Sequence, residues 1–207
     1  MLLQILTYTH HLTTMLFGIF LSAFFLGVKQ NKKNVCILLG GGAVSGLFFL
    51  ICNTVFGSLF TEAVYPIFVH LPLFLLLVFY YRFRWLPSII SIMTAYLCCQ
   101  FSNWAGIFAL SLSGLDWIYY LVRIIVTVAV FAFLSRYLCQ TTALLFAKSD
   151  RELYIRGAMP FVYYVFDYST TKFSMLLYSG NKVVVEFLAF AMCISYVIFL
   201  FVYFSGI

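Results

Sequence analysis

Charge is the scarcest commodity in this sequence. Asp and Glu number six and Lys and Arg twelve in 207 residues, 9% in all, where a water-soluble domain carries about 25%. With 65% hydrophobic residues and a mean hydropathy of +1.08, no solvated surface can be assembled from such a chain. Polar linkers, low-complexity tracts and internal repeats are missing too. No stretch is polar enough to form a nucleotide-binding domain, which excludes phosphoryl transfer by these residues alone. There is no H-E-x-x-H, and no Ser with a local base signature, so an intramembrane protease finds no support. The six cysteines, Cys36, Cys52, Cys98, Cys99, Cys139 and Cys193, form no CxxC or mixed Cys/His spacing and read as buried thiols, which behave as small hydrophobes. The glycines at 40, 41, 42 and 46 lack the Lys and Ser/Thr that would make them a phosphate-cradling loop.

Long apolar runs fill the space that charge leaves. A transmembrane helix needs about 20 mainly apolar residues to cross the hydrocarbon, and backbone groups in lipid must pair internally. The runs do not alternate in polarity as a barrel would require. The expected fold is therefore all-α, a polytopic transmembrane bundle forming a single domain over 1–207, with spans at 4–28, 34–57, 63–81, 86–110, 117–139, 157–178 and 183–204. The only sizeable inner loop falls at Gln140–Tyr154. Gly42-x-x-x-Gly46 permits close helix approach, either inside the bundle or at a dimer seam.

The few charges orient the bundle. Lys29, Lys32 and Lys33, then Arg82 and Arg84, then Arg136, Lys148, Arg151 and Arg156 cluster near alternate ends of the runs. Short loops rich in Lys and Arg stay in the cytoplasm, which puts the amino end outside and the carboxyl end inside a multi-pass cell-membrane protein. The sixth span carries Pro160, Asp167 and Lys172, yet the alternation requires it to cross. Trp85, Tyr80, Tyr81, Tyr137 and Tyr203 near inner ends, and Trp117, Tyr119, Tyr120 and Tyr178 near outer ones, are placed as interfacial anchors. The net charge of +6 then reflects orientation and attraction to the inner leaflet lipids. No basic stripe interleaved with aromatics suggests nucleic acid.

Charges inside spans point to function, because each costs several kcal/mol to bury. Counted from Arg156, Asp167 lies about 16 Å along its helix, near the midplane. Asp167, Thr171, Ser174 and Tyr178 share one helical face, and Lys172 follows in the outer half. His10, His11, His70, Gln100, Asn103, Arg123 and Glu186 fall at similar depth. Arg123 is the natural counter-ion for Asp167 or Glu186. The candidate polar or signal site is thus Asp167, Thr171, Lys172, Arg123, Glu186, His70 and Asn103. Either these residues line an outward-opening polar cavity or they form an ion-pair network holding the bundle together. His10 and His11 project about 100° apart, poor geometry for one metal, and neither a metal nor a cofactor is expected.

The carboxyl third carries a resemblance. Residues 159–171, MPFVYYVFDYSTT, followed by 176–188, LLYSGNKVVVEFL, resemble the membrane sensor region of bacterial histidine kinases with a GHKL-type ATPase domain. The likeness is strongest over about 155–204, and before residue 150 it consists of hydropathy and loop charge; Ala189 stands where a proline is expected. The resemblance implies reception of an extracellular or membrane-borne signal, action as a homodimer, and transmission through the final span to a cytoplasmic kinase module or partner kinase. With no phosphoacceptor or ATP-binding motif, the chain reads as the sensor portion of a two-component kinase, not an enzyme by itself. A substrate-capturing subunit of a small-molecule importer, or a structural membrane protein, is the alternative.

Overall fold

The computed structural model describes residues 2–57, 60–61, 64–146, 150–172 and 194. All described elements are helical: α1 (Leu2–Phe25), α2 (Lys32–Phe56), α3 (Pro66–Tyr80), α4 (Trp85–Ser113), α5 (Asp116–Tyr137), α6 (Cys139–Phe146) and α7 (Asp150–Lys172). The fold is an all-α helical bundle. The expected seventh span, 183–204, lies outside the described residues.

Local chemistry sets the helix ends. The Asn31 side chain accepts from the Asn34 backbone N–H at 2.8 Å and starts α2, satisfying one of the N-terminal donors that a helix leaves open. Gly114, at φ 66°, closes α4 with its N–H on the Leu110 carbonyl, a left-handed position that a side chain would strain.

Three helices, α2, α4 and α5, are long and apolar enough to cross a membrane. Their burial runs against their polarity. The least apolar, α4, has 61% of its apolar stretch buried, against 17% for α2 and 11% for α5. Ser88, Ser91, Thr94, Gln100 and Ser102 of α4 all point inward, whereas α2 exposes Leu47, Phe48, Ile51, Val55 and Phe56. Polar groups inside and apolar groups outside is the arrangement a hydrocarbon solvent demands, since lipid offers no hydrogen-bond partners.

The contacts define the order of packing. α4 lies antiparallel to α1 and α5, joined to α1 where Ser91 Oγ donates to the Ser22 carbonyl at 3.0 Å. α1 and α5 run parallel, with Phe131 of α5 set among Phe17, Phe20 and Phe24 at ring distances of 6.0–6.4 Å. α7 starts beside the start of α4. Gly42 and Gly46 of α2 face α1 over Ile19 and Met15, so the small-residue step packs within the bundle. The segments carrying Lys29, Lys32, Lys33, Arg82 and Arg84 share one end, where the Tyr81 hydroxyl donates to the Asn34 side chain at 3.5 Å.

One sequence expectation changes and one gains detail. The third apolar run, expected as a span over 63–81, is helical over Pro66–Tyr80, about 22 Å at 1.5 Å per residue. Its first and last five residues are wound as π-helix. Pro72 has no N–H to give to the preceding turn, and wider π turns accommodate such interruptions. The expected inner loop Gln140–Tyr154 is mostly helical, because α6 occupies Cys139–Phe146 and α7 begins at Asp150, seven residues before the expected start at 157. Leu153 is the cause: it is fully buried against Leu86 and Ile90 of α4, and a backbone drawn into that contact satisfies its polar groups most simply as helix.

The α4–α7 seam closes at Gly157, where an added Cβ would stand 2.6 Å from Cγ1 and Cδ1 of the buried Ile90. Gly157→Ala is expected to cost about 1–3 kcal/mol through overpacking, read as a lower midpoint in detergent unfolding. Gly157→Ala combined with Ile90→Ala should recover part of the loss.

Candidate functional site

The inward polar face of α4 organises two clusters at different levels along its length. The first joins α3, α4 and α7. The Tyr96 hydroxyl of α4 donates to Asp167 Oδ2 of α7 at 2.5 Å. His70 Nδ1 of α3 and the Tyr164 hydroxyl of α7 share a hydrogen bond at 2.8 Å. Around the imidazole stand Tyr65, Tyr96 and Tyr164, with ring centroids 5.3, 5.8 and 5.5 Å away and the first two nearly perpendicular to it. Tyr96 and Tyr164 are themselves 4.9 Å apart, edge to face. The carboxylate at this depth therefore has an O–H donor, and charge-assisted bonds of this kind are the strong ones.

Helix periodicity assembles this cluster. Tyr164 and Asp167 are three residues apart on α7, which places both on the face turned to α3 and α4. Tyr163, next in sequence, is fully buried and lies 6.5 Å from the Tyr96 ring. His70 reaches the cluster at the junction where the first π turn of α3 gives way to Leu71–Leu75.

The second cluster joins α4 and α5 further towards the Ser113 end of α4. Arg123 Nη1 donates to the Tyr119 hydroxyl, Tyr119 donates to Asn103 Oδ1 at 3.4 Å, and Asn103 Nδ2 donates to Gln100 Oε1 at 3.4 Å. The guanidinium also lies 5.0 Å from the centre of the Tyr119 ring. Gly106 makes room for this crossing: a Cβ there would meet Arg123 Cδ at 2.9 Å and Cγ closer still. Nearby, the His10 ring of α1 lies 5.9 Å from that of Tyr120, the neighbour of Tyr119, tilted by 48°, and its Nδ1 is 3.3 Å from Thr14 Oγ1.

The candidate residues are thus divided. Asp167 and His70 meet in the first cluster through Tyr96 and Tyr164; Arg123 and Asn103 meet in the second through Tyr119. The pairing of Arg123 with Asp167 is not made: their contacts on α4, Tyr96 for one and Asn103 to Gly106 for the other, are seven to ten residues apart, about 10–15 Å along the helix. Thr171 and Lys172 end the described part of α7, with side chains outside the described residues, and Glu186 lies outside them altogether.

Sequence reasoning missed Tyr65, Tyr96, Tyr119 and Tyr164. Tyr96, Gln100 and Asn103 follow i, i+4, i+7 spacing, a signal available in the sequence. Among the described residues no group of three His, Cys, Asp or Glu could hold a metal. A cavity of about 470 Å³ does open between α2 and α3, lined by Leu38, Gly41, Gly42, Phe48, Phe68 and Leu73 among others, and its walls are almost wholly apolar. Comparisons of the chain with protein-family models, with curated proteins and with solved structures give no match.

The Tyr96–Asp167 bond is open to direct measurement. In a double-mutant cycle of Tyr96→Phe and Asp167→Asn, unfolding in detergent is expected to give a coupling of about 1–2 kcal/mol. A coupling near zero would show that the two side chains do not support each other.

Proposed function

We propose that this chain is the membrane-embedded signal-sensing domain of a two-component histidine kinase of the GHKL class. In this reading it is a multi-pass protein of the cell membrane with its basic loops in the cytoplasm, acting as a homodimer on a cytoplasmic kinase module. The observation that carries the reading is the 2.5 Å bond from Tyr96 to Asp167. It ties α7, the helix that precedes the final apolar run in sequence, to the polar spine of the bundle through a part-buried hydroxyl–carboxylate contact. Such a bond has two discrete states, made or broken. A cue that favours one of them shifts α7 against α4, and a two-state shift of packed helices is a recognised way to carry a signal between distant sites. The resemblance over 155–204 falls on this same helix and the run after it.

An importer subunit would use the bundle differently, holding a solute tightly and associating with an ATP-hydrolysing transport module. The apolar character of the α2–α3 cavity gives a polar solute little to bind.

The test uses the complete product of the reading frame that contains this chain, purified with any bound kinase and incubated with labelled ATP. Acid-labile, base-stable phosphate, the signature of phosphohistidine, is expected, and Tyr96→Phe is expected to change its level by about threefold or more, the effect of roughly 0.7 kcal/mol on a two-state balance. Phosphate labelling that is absent, with an ATP-hydrolysing transport module recovered in its place, would sink the sensor reading in favour of the importer.

A further inference from the structure

Arg123 carries a charge that nothing described in the bundle neutralises. It sits two turns into α5, about 10 Å from Asp116 along the axis, half-buried, and among the described residues no carboxylate pairs with it. Its Nη1 is committed to Tyr119. Its Nε is buried and has no hydrogen-bond partner among the described residues. That leaves the Nε and Nη2 edge of the guanidinium, whose two parallel N–H groups match the oxygens of a carboxylate.

A second buried donor lies four residues on, over the same face of α5. Thr127 is 3% exposed, and its Oγ1 also has no partner among the described residues. This is a departure within the chain. Thr7, Thr9, Thr13, Thr54, Thr61, Thr94 and Thr142 each donate to a carbonyl of the preceding turn, and Thr14 bonds His10. Of the threonines whose side chains are described, Thr127 alone makes no bond to its own helix, although a hydroxyl in this position ordinarily satisfies itself there.

We infer that Arg123 and Thr127 form a binding site for a small carboxylate: the Nε and Nη2 edge of Arg123 takes the two oxygens, and the Thr127 hydroxyl donates to one of them. Water could satisfy the two hydrogen-bonding atoms but not the charge, and a lone guanidinium at this depth is costly until an anion joins it. Tyr119 and Gly106 position the site. The Tyr119 hydroxyl holds Nη1 so that the opposite edge is presented, and Gly106 lets the Arg123 stem cross α4 where any side chain would collide. Binding here is a property of α4 and α5 and does not depend on the kinase reading, so the test is made without ATP or a kinase.

The whole chain, reconstituted in lipid nanodiscs, is titrated with sodium acetate replacing sodium chloride at constant ionic strength, while thermal unfolding is followed by Trp fluorescence. A saturable rise in Tm specific to acetate is expected in the unaltered protein. Thr127→Val should weaken the acetate Kd by about tenfold, the worth of one hydrogen bond to a charged group, and Arg123→Gln should abolish the effect. Should Arg123→Gln fail to fold, Arg123→Lys serves in its place: it keeps the charge, loses the two-pronged edge, and should bind acetate no better than chloride. The proposal is overturned if acetate stabilises no more than chloride, or if the acetate effect survives in Arg123→Gln. It is equally overturned if acetate dependence appears only in Glu186→Gln, since Glu186 would then be the carboxylate that Arg123 holds.

Discussion

Hydrocarbon accepts no hydrogen bonds, and the architecture of this bundle follows from that. A polar side chain placed within an apolar helix is stabilised by a partner in the protein, so polar groups collect where helices meet. α4 is where they collect. Its inner face carries Ser88, Ser91, Thr94, Tyr96, Gln100, Ser102 and Asn103, and the other helices pack so that these residues are met by Ser22 of α1, Asp167 of α7 and Tyr119 of α5. The strongly apolar α2 and α5 are left with broad exposed faces. Depending on the solvent, the same residue pattern is a liability or a design: in water the exposed Phe48, Ile51, Val128 and Phe133 would drive aggregation, and in lipid they cost nothing.

Charge has a different role from hydrogen bonding in this scheme. Lys29, Lys32, Lys33, Arg82 and Arg84 gather at one end of the bundle, while Asp167 and Arg123, set within helices, are kept apart and served by separate tyrosines. Joining them would have made one neutral ion pair, a lock. Each is instead held by a tyrosine hydroxyl, Tyr96 for Asp167 and Tyr119 for Arg123, and Arg123 Nε has no hydrogen-bond partner among the described residues.

Much of the fold was legible from hydropathy, because α2, α4 and α5 are set by length and apolarity alone, and the expected spans 34–57, 86–110 and 117–139 fall within three residues of the helices found. The π turns at both ends of α3 were not, since hydropathy is blind to what Pro66 and Pro72 do to helix winding. Nor was the helical character of 139–154, which depends on a long-range contact of Leu153 with α4 that no local pattern announces. For the site, ionisable groups at apolar depth named Asp167, His70, Arg123 and Asn103 at once. Their partners escaped notice for a physical reason: tyrosine serves equally as interfacial anchor, core filler and hydrogen-bond donor, and only packing reveals which. Thr127 escaped because a threonine within a helix ordinarily bonds its own backbone.

The central claim is that α4 is the polar interior of a lipid-facing bundle, and labelling from the lipid phase tests it most directly. The reconstituted protein is irradiated with a membrane-soluble carbene precursor and the adducts are located by mass spectrometry. Adducts are expected on Phe48, Ile51 and Val55 of α2 and on Val128 and Phe133 of α5, with none on Ser88, Ser91, Thr94 or Ser102 of α4. Labelling along that stretch of α4, with α2 protected, would contradict the account.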